Sequence, residues 1–264
     1  MESTDPDTEQ MKAAIALAAG PAGEILSKFA AHYAKAFFFG EKPIKNGTAA
    51  ITNGTVTLIR LPQRNVAVTC WHVIDAFREY LQLYKRVIAQ IGDTVIDPLA
   101  QLIDESEALD LAVLALSDKQ VTEITAGGEI GSRLVDGKVW PPKQAKAGKV
   151  VMLSGFPGKY RQALAFNEIE FRPFCAAGIK VHSAERDYFT CQFEREYWVK
   201  SFGAKESVEH LEPLLGGMSG GPAFVDRGLS WDLGGFIYQH SPDFDILRLR
   251  PANLINADGT IGRM

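Results

Sequence analysis

The sequence of 264 residues lacks the features that mark membrane and nucleic-acid-binding proteins. No apolar run approaches the length of about 18 residues that a transmembrane helix needs, so no such helix is predicted. Neither charge dominates: 28 basic and 32 acidic residues give a formal net charge of −4. We therefore expect neither nucleic acid nor an anionic membrane as a partner. Internal repeats and low-complexity tracts are also absent, which leaves a globular chain of one large or two small domains.

Cysteine is scarce as well, and the three residues Cys70, Cys175 and Cys191 cannot all pair within one chain. With no evident export signal, three free thiols in the reducing cytoplasm are the simplest interpretation. The alternative is an exported protein in which residues 11–20 act as a signal and Cys175 pairs with Cys191. The short apolar run there follows acidic rather than basic residues, so we favour a packing helix over a signal.

The N-terminal part of the chain has a helical pattern. Apolar residues recur at helical spacing within residues 11–40, and Ile25, Leu26, Phe29 and Tyr33 would share one face. We expect a helical extension that either packs on the rest of the chain or binds a regulatory protein partner.

From residue 46 onward the chain consists of short β-rich segments between turns. Asn53-Gly54 is a typical hairpin turn between two such segments, and a helix is expected at about residues 75–91. Many short strands predict an all-β barrel or sandwich, and a polar stretch in the middle predicts two units. The predicted boundaries are a helical extension at 1–44, a first unit at 45–120, a connector at 121–147 and a second unit at 148–264.

The most distinctive stretch is Leu215-Gly-Gly-Met-Ser219-Gly-Gly-Pro222, in which one hydroxyl lies among four glycines. Glycine permits a positive φ and a close approach of a ligand, so the segment predicts a tight exposed loop. Successive N–H groups of such a loop can converge into an anion-binding nest. A nucleophile within such a nest is what acyl transfer requires. The alternative is a glycine-rich turn with an incidental serine.

A serine nucleophile needs a general base, and the base needs a carboxylate to orient it. The chain has five histidines, His32, His72, His182, His210 and His240. His72 is the best candidate because it follows a predicted buried strand. Asp110 is the best carboxylate because it opens an otherwise apolar strand, where an unpartnered charge would be costly. Each residue alone also fits a purely structural role.

Three segments together resemble the signature segments of trypsin-like (chymotrypsin-fold) serine proteases, in that family's order. They are Val68-Thr-Cys-Trp-His72-Val, Leu109-Asp110-Leu-Ala-Val-Leu and Gly217-Met-Ser219-Gly-Gly-Pro. The resemblance covers about residues 45–250. It implies two six-stranded β-barrels of the chymotrypsin type and a serine endopeptidase that needs no cofactor and no metal.

The resemblance also implies a role for each residue of the site. Ser219 would attack the scissile carbonyl, His72 would transfer the proton and Asp110 would orient His72. The backbone N–H groups of Gly217 and Ser219 would form the oxyanion hole.

The family's substrate-binding positions imply a protein or peptide substrate. The residue six before the nucleophile lies at the floor of the primary specificity pocket in this family, and here it is the uncharged Pro213. We therefore expect cleavage after small or apolar residues rather than after lysine or arginine. Tyr238, Gln239 and His240 match the strand edge that pairs with the substrate backbone.

The sequence departs from the animal digestive members and is closer to bacterial and viral ones. Met218 stands where those zymogens have the aspartate that pairs with a newly cut N-terminus, and no activation-site sequence precedes the first predicted strand. We expect a site that is competent as translated. Cys70 precedes the histidine by two residues, whereas the family's usual disulfide cysteine follows it.

Two other functions compete with proteolysis. The pattern Gly217-x-Ser219-x-Gly221 also matches the nucleophile elbow of α/β-hydrolases, but that elbow needs a helix after the serine and strands that alternate with helices. A protease fold that is silent, or that is activated by a partner, and that serves as a binding scaffold is the stronger alternative. The presence of all three candidate residues favours an enzyme.

Overall fold

The computed structural model describes residues 25, 28–41, 51–126, 128, 130–165, 168–193, 216–241 and 244–262. Most of the predicted N-terminal extension, including Leu26, lies outside these residues, as do His210 and Pro213. No helix within the described ranges is long and apolar enough to cross a membrane. The three cysteines are free and buried, so Cys175 and Cys191 form no disulfide.

The first unit is a curled sheet of eight strands. The strands are β1 Ala34–Glu41, β2 Ile51–Arg60, β3 Asn65–Thr69, β4 Val87–Ile91, β5 Thr94–Ile96, β6 Leu102–Ser106, β7 Leu111–Leu116 and β8 Val135–Asp136. Their order in the sheet is β5-β4-β1-β2-β3-β7-β6, and β8 pairs in parallel with β2. Within the described residues β5 and β6 end the path without pairing with each other, so this sheet is open rather than a closed barrel of six strands.

Two helices accompany this sheet. Helix α1, Trp71–Leu83, follows β3 directly and buries Val73, Ile74 and Phe77 against the sheet. Helix α2, Asp118–Thr125, follows β7 and begins with a capping box between Ser117 and Gln120. The start of α1 therefore lies at the end of a central strand.

The second unit is a closed six-stranded barrel with the order β12-β13-β16-β15-β14-β9, and β10 and β11 form a separate hairpin. Its strands are β9 Val150–Gly155, β10 Arg161–Ala165, β11 Glu168–Phe171, β12 Phe174–Ala184, β13 Phe189–Gln192, β14 Pro222–Asp226, β15 Trp231–Ser241 and β16 Ile246–Pro251. Closure removes exposed strand edges, and the barrel interior is filled by apolar side chains of alternating residues.

A shared apolar core joins the two units. Ile59 and Val66 of the sheet lie in one buried cluster with Met152, Phe224 and Phe236 of the barrel. The predicted all-β fold class is confirmed, because a closed barrel beside a curled sheet is consistent with a two-barrel, chymotrypsin-like fold. The groove between such units is where side chains from both can meet.

The helix predicted for residues 11–40 was wrong over its last part, because Ala34–Glu41 form strand β1. This strand pairs with β2 on one side and with β4 on the other. It buries Phe37 and Phe39 completely. Two ladders of backbone hydrogen bonds and this aromatic burial outweigh the helical spacing of the alanines. A short 3₁₀ turn, Ala30–Tyr33, directly precedes the strand, and the described residues before it, 25, 28 and 29, are α-helical as predicted.

The hairpin turn predicted at Asn53-Gly54 was also wrong, because both residues lie within the continuous strand β2. Gly54 is required by packing: a Cβ there would lie 2.8 Å from Cγ1 of Val73. The Asn53 amide donates to the carbonyl of Phe156 at 2.8 Å. Both residues serve contacts between elements and do not form a turn.

Two further element predictions need correction. The helix expected at about residues 75–91 begins earlier, at Trp71, and ends at Leu83, after which the β-branched segment Val87–Ile91 pairs with β1 as β4. The stretch expected as a polar connector contains the end of α2 and the strand β8. The predicted domain boundaries themselves stay a prediction.

Candidate active site

His72 is the second residue of α1, and a single extended residue, Cys70 at the N-cap, separates this helix from strand β3. This short connection fixes the direction in which the imidazole leaves the backbone. The side chain is about half exposed, with a relative accessibility of 47%. His72 therefore lies at the surface of a rigid junction.

Asp110 is the residue before β7, and its backbone has a positive φ of 48°. Aspartate tolerates this conformation better than most residues. The conformation directs the carboxylate at His72: Oδ2 lies 2.8 Å and Oδ1 3.0 Å from Nδ1 of the ring. Oδ1 also accepts a hydrogen bond of 3.0 Å from the backbone N–H of His72. One carboxylate thus holds both the ring and the main chain of His72, and it favours the tautomer with a proton on Nδ1.

Ser219 completes the group from the other unit. Its Oγ lies 3.0 Å from Nε2 of His72, the ring nitrogen that does not face Asp110. The structure therefore places the three side chains in one hydrogen-bonded row across the groove. With Nδ1 protonated, Nε2 can accept the hydroxyl proton of Ser219.

The loop around Ser219 is held by its carbonyl groups. Gly217 and Gly220 have φ values of 98° and 90°, which favour glycine. The six consecutive carbonyls from Gly216 to Gly221 each accept a hydrogen bond of 2.7 to 2.9 Å. In that order the donors are Gly158 N, Thr55 Oγ1, Gly221 N, Thr55 N, Thr57 Oγ1 and Ile237 N.

These contacts orient two backbone N–H groups. The C=O and N–H of a trans peptide point in opposite directions. Because the carbonyl of Gly216 faces Gly158 and that of Met218 faces Gly221, the N–H groups of Gly217 and Ser219 point away from those donors. Neither N–H donates to any residue that the structure describes. Both can therefore bind an oxygen of a ligand.

Of the four expected substrate-binding residues, the structure describes three. Pro213 lies outside the described residues, so the floor of the expected specificity pocket is not described. Tyr238, Gln239 and His240 lie on β15, and the pairing of that strand with β14 ends at Phe236. On the other side Gln239 and His240 pair with β16. The edge that faces away from β16 thus carries no strand within the described ranges.

The side chains of Tyr238 and His240 are half-buried. The Tyr238 ring lies under the guanidinium of Arg250, 4.1 Å from the ring centroid, and burial raises the pKa of its hydroxyl. His240 packs its ring against Phe193, with centroids 5.9 Å apart. Gln239 is exposed and accepts a hydrogen bond from Arg248.

Cys70 lies beneath the site and donates from Sγ to the carbonyl of Ile237 at 3.3 Å. With His72 and Asp110 it forms the one group of three potential metal ligands that the described ranges contain. Complete burial raises the pKa of the Cys70 thiol well above its usual range, and Nδ1 of His72 already contacts Asp110. A metal needs the thiolate, so this donor set fits proton transfer better than metal binding.

Two residues of the first unit that donate hydrogen bonds to the loop, Thr55 and Thr57, were not predicted from the sequence. The signal was present but ambiguous: Thr55 and Thr57 alternate with apolar residues in the part of β2 that runs from Thr55 to Ile59. Both are completely buried, and a buried hydroxyl needs a hydrogen-bond partner. The pattern indicates that such a partner exists but does not identify it.

No protein-family profile matches this sequence, and no curated protein matches it significantly. Among solved structures, the chain is similar to a thermostable serine protease, AL20, from an extremophilic microorganism. That similarity has a TM-score of 0.42 and 11% sequence identity, over 84% of this chain and 91% of the other.

Proposed function

We propose that this chain is a serine endopeptidase that uses Ser219, His72 and Asp110. The observation that carries the proposal is the position of the His72 ring. Its two nitrogens lie 2.8 Å from the Asp110 carboxylate and 3.0 Å from Ser219 Oγ. A ring bridged in this way can remove the serine proton while the carboxylate stabilises the resulting imidazolium.

In the proposed reaction, Ser219 Oγ attacks the scissile carbonyl carbon while its proton passes to Nε2 of His72. The oxyanion that develops binds the N–H groups of Gly217 and Ser219, which are already oriented before the substrate arrives. The imidazolium then protonates the leaving amine as the C–N bond breaks, which leaves an acyl-enzyme on Ser219. Water, deprotonated by His72, attacks the ester and releases the second product.

The substrate is proposed to be an extended protein or peptide segment. Its backbone would add to the edge of β15 that faces away from β16, at Tyr238, Gln239 and His240, as an additional strand. An uncharged Pro213 in the specificity pocket would favour small or apolar side chains at the cleaved residue. Peptide-library profiling should show cleavage after such residues, and dominant cleavage after lysine or arginine would contradict the preference.

Hydrolysis of a quenched peptide library by wild type, Ser219→Ala and His72→Ala tests the proposal. Each substitution should lower kcat/KM by several orders of magnitude while the melting temperature changes little. Wild-type activity should persist in EDTA, since no step uses a metal. A wild type that binds peptides without cleaving them would favour the scaffold alternative. Activity that survives Ser219→Ala would exclude Ser219 as the nucleophile.

A further inference from the structure

We infer that Thr55 is a positioning residue that sets the geometry of the oxyanion hole from the opposite unit, an inference that rests on the proposed function. Thr55 lies in β2 of the first sheet, is completely buried and does not touch the side chains of His72, Asp110 or Ser219 through any hydrogen bond. Its backbone N–H and its hydroxyl instead donate hydrogen bonds to backbone carbonyls of the loop 216–221, which carries Ser219.

Thr55 holds two carbonyls of that loop at once. Its backbone N–H donates to the carbonyl of Ser219 at 2.9 Å, and its Oγ1 donates to the carbonyl of Gly217 at 2.7 Å. The same Oγ1 accepts a hydrogen bond of 2.9 Å from the N–H of Phe156. The hydroxyl proton therefore has one fixed direction, toward Gly217.

These two bonds bracket the peptide that carries one donor of the hole. The Gly217 carbonyl belongs to the peptide before Met218, and the Ser219 carbonyl belongs to the peptide after Ser219. The carbonyl of the intervening Met218–Ser219 peptide accepts from the N–H of Gly221 at 2.8 Å. With the peptides on both sides fixed by Thr55 as well, this peptide cannot rotate freely, and its N–H keeps one direction. The glycines at 217 and 220, with positive φ, would otherwise allow these peptides to flip.

Thr55 is itself fixed from the side of the general base. Thr69, three residues before His72, donates from Oγ1 to the carbonyl of Thr55 at 2.9 Å. The neighbouring Asn53 donates to the carbonyl of Phe156 at 2.8 Å, in the same segment that Thr55 contacts. The connection therefore runs from Thr69 at the end of β3, three residues before His72, through Thr55 to the loop that carries Ser219.

Thr55→Val tests this role because valine keeps the shape and removes both side-chain hydrogen bonds. Thr57→Val is the matched control: it removes a bond of the same length, 2.7 Å, from the same strand to the carbonyl of Gly220, beyond the donors of the hole. Thr55→Ser is the rescue variant, since it keeps the hydroxyl. The measurements are kcat, KM, melting temperature and the inhibition constant of a peptide aldehyde, whose hemiacetal oxygen occupies the hole.

Thr55→Val should lower kcat about 10- to 100-fold with KM nearly unchanged, and should weaken the aldehyde by a similar factor. Thr55→Ser should recover kcat to within about threefold of wild type. Thr57→Val should lower the melting temperature comparably but affect kcat at least about tenfold less. If the valine variant does not fold, Thr55→Cys replaces it: because a thiol is a weaker donor than a hydroxyl, kcat should fall further than in Thr55→Ser but by less than the about 10- to 100-fold expected for valine.

Equal losses of kcat in Thr55→Val and Thr57→Val would overturn the inference, as would a rise in KM with kcat unchanged. Either result in an active wild type leaves the proposed protease function intact. A wild type without turnover contradicts the proposed function itself, so the two failures are distinguishable.

Discussion

The two sides of the site are held by different kinds of contact. His72 and Asp110 lie at the ends of regular elements and are held through one carboxylate, which contacts the imidazole ring and the N–H of His72. Ser219 lies in a loop between strands and is held by hydrogen bonds to backbone carbonyls, several of them from the other unit. Substitutions on the first side should therefore change the chemistry with little effect on stability. Substitutions in the loop should change both.

The largest effect should come from Asp110→Asn. Asparagine tolerates the positive φ of 48° at this position, so the fold should be kept. Its neutral amide does not stabilise the imidazolium, and its NH₂ can donate to Nδ1, which favours the tautomer with the proton on Nε2; kcat should therefore fall by about 10⁴-fold. Asp245→Asn is the control, since Asp245 has a similar φ of 47°. Steady-state kinetics and thermal melting measure both effects.

The comparison fails if Asp110→Asn loses less than about tenfold in kcat while folded, because the carboxylate would then not orient the base. It also fails if the control loses as much activity as the site variant.

Gly220→Ala should be next, and here stability should fall together with activity. A Cβ at Gly220 would lie 2.7 Å from Cα of Thr69 and would also collide with the carbonyl oxygen of Thr55. Both are backbone atoms, so we expect a loss of about 3–5 kcal/mol in the free energy of unfolding. Urea denaturation monitored by fluorescence measures it.

Gly228→Ala separates collision from backbone strain. Gly228 has a comparable φ of 94° but no atom within 4 Å of its Cβ position. This control should cost only about 1 kcal/mol. Equal losses at the two glycines would show that packing against Thr55 and Thr69 does not hold the loop.

The smallest effect concerns the reactivity of the buried thiols. The comparison is between Cys70, which lies beside the site, and Cys175, which is remote from it. Burial raises the pKa of Cys175 to about 11 and that of Cys70 well above its usual range. At pH 9 neither should react with a disulfide reagent in the native state, whereas all three cysteines should react in urea. Rapid reaction of Cys70 in the native state would contradict this prediction, because it would show that solvent reaches the buried thiol next to the site.

The same shifts predict how stability depends on pH. Unfolded thiols lose their protons from about pH 8.5, while the buried native thiols keep theirs. Because the unfolded state then binds fewer protons, the free energy of unfolding should fall as pH rises toward 11, by up to about 1.4 kcal/mol per pH unit for each thiol. Below that range the thiols contribute no dependence. Cys175→Ala should show a shallower decline than wild type.

The sequence predicted the barrel better than the start of the chain. The strands of the second unit are short β-rich runs bounded by turns, so local pattern and tertiary structure agree there. The helix prediction failed at strand β1 because the helical spacing of Ile25, Leu26, Phe29 and Tyr33 was extended into the residues that follow, whose strand conformation is decided by pairing with β2 and β4. The turn prediction at Asn53-Gly54 was wrong for a similar reason: the glycine is required by its close packing against Val73, a contact that the local sequence does not indicate.

The site divides in the same way. The three signature segments carry the side chains that the structure brings within hydrogen-bond distance, since those segments resemble a known pattern. Thr55 could not be predicted, because its partners Gly217 and Ser219 are distant in sequence and offer only backbone carbonyls. Residue types indicate chemistry, but they do not show which backbone groups a buried hydroxyl will meet.

The most direct test of the account is labelling with a fluorophosphonate, followed by mass spectrometry of the digested protein. The account predicts a single adduct on Ser219, formed at least about 100-fold more slowly in His72→Ala because the base is missing. Absence of an adduct in folded wild type, or an adduct on another residue, would contradict the assignment of Ser219 as an activated nucleophile.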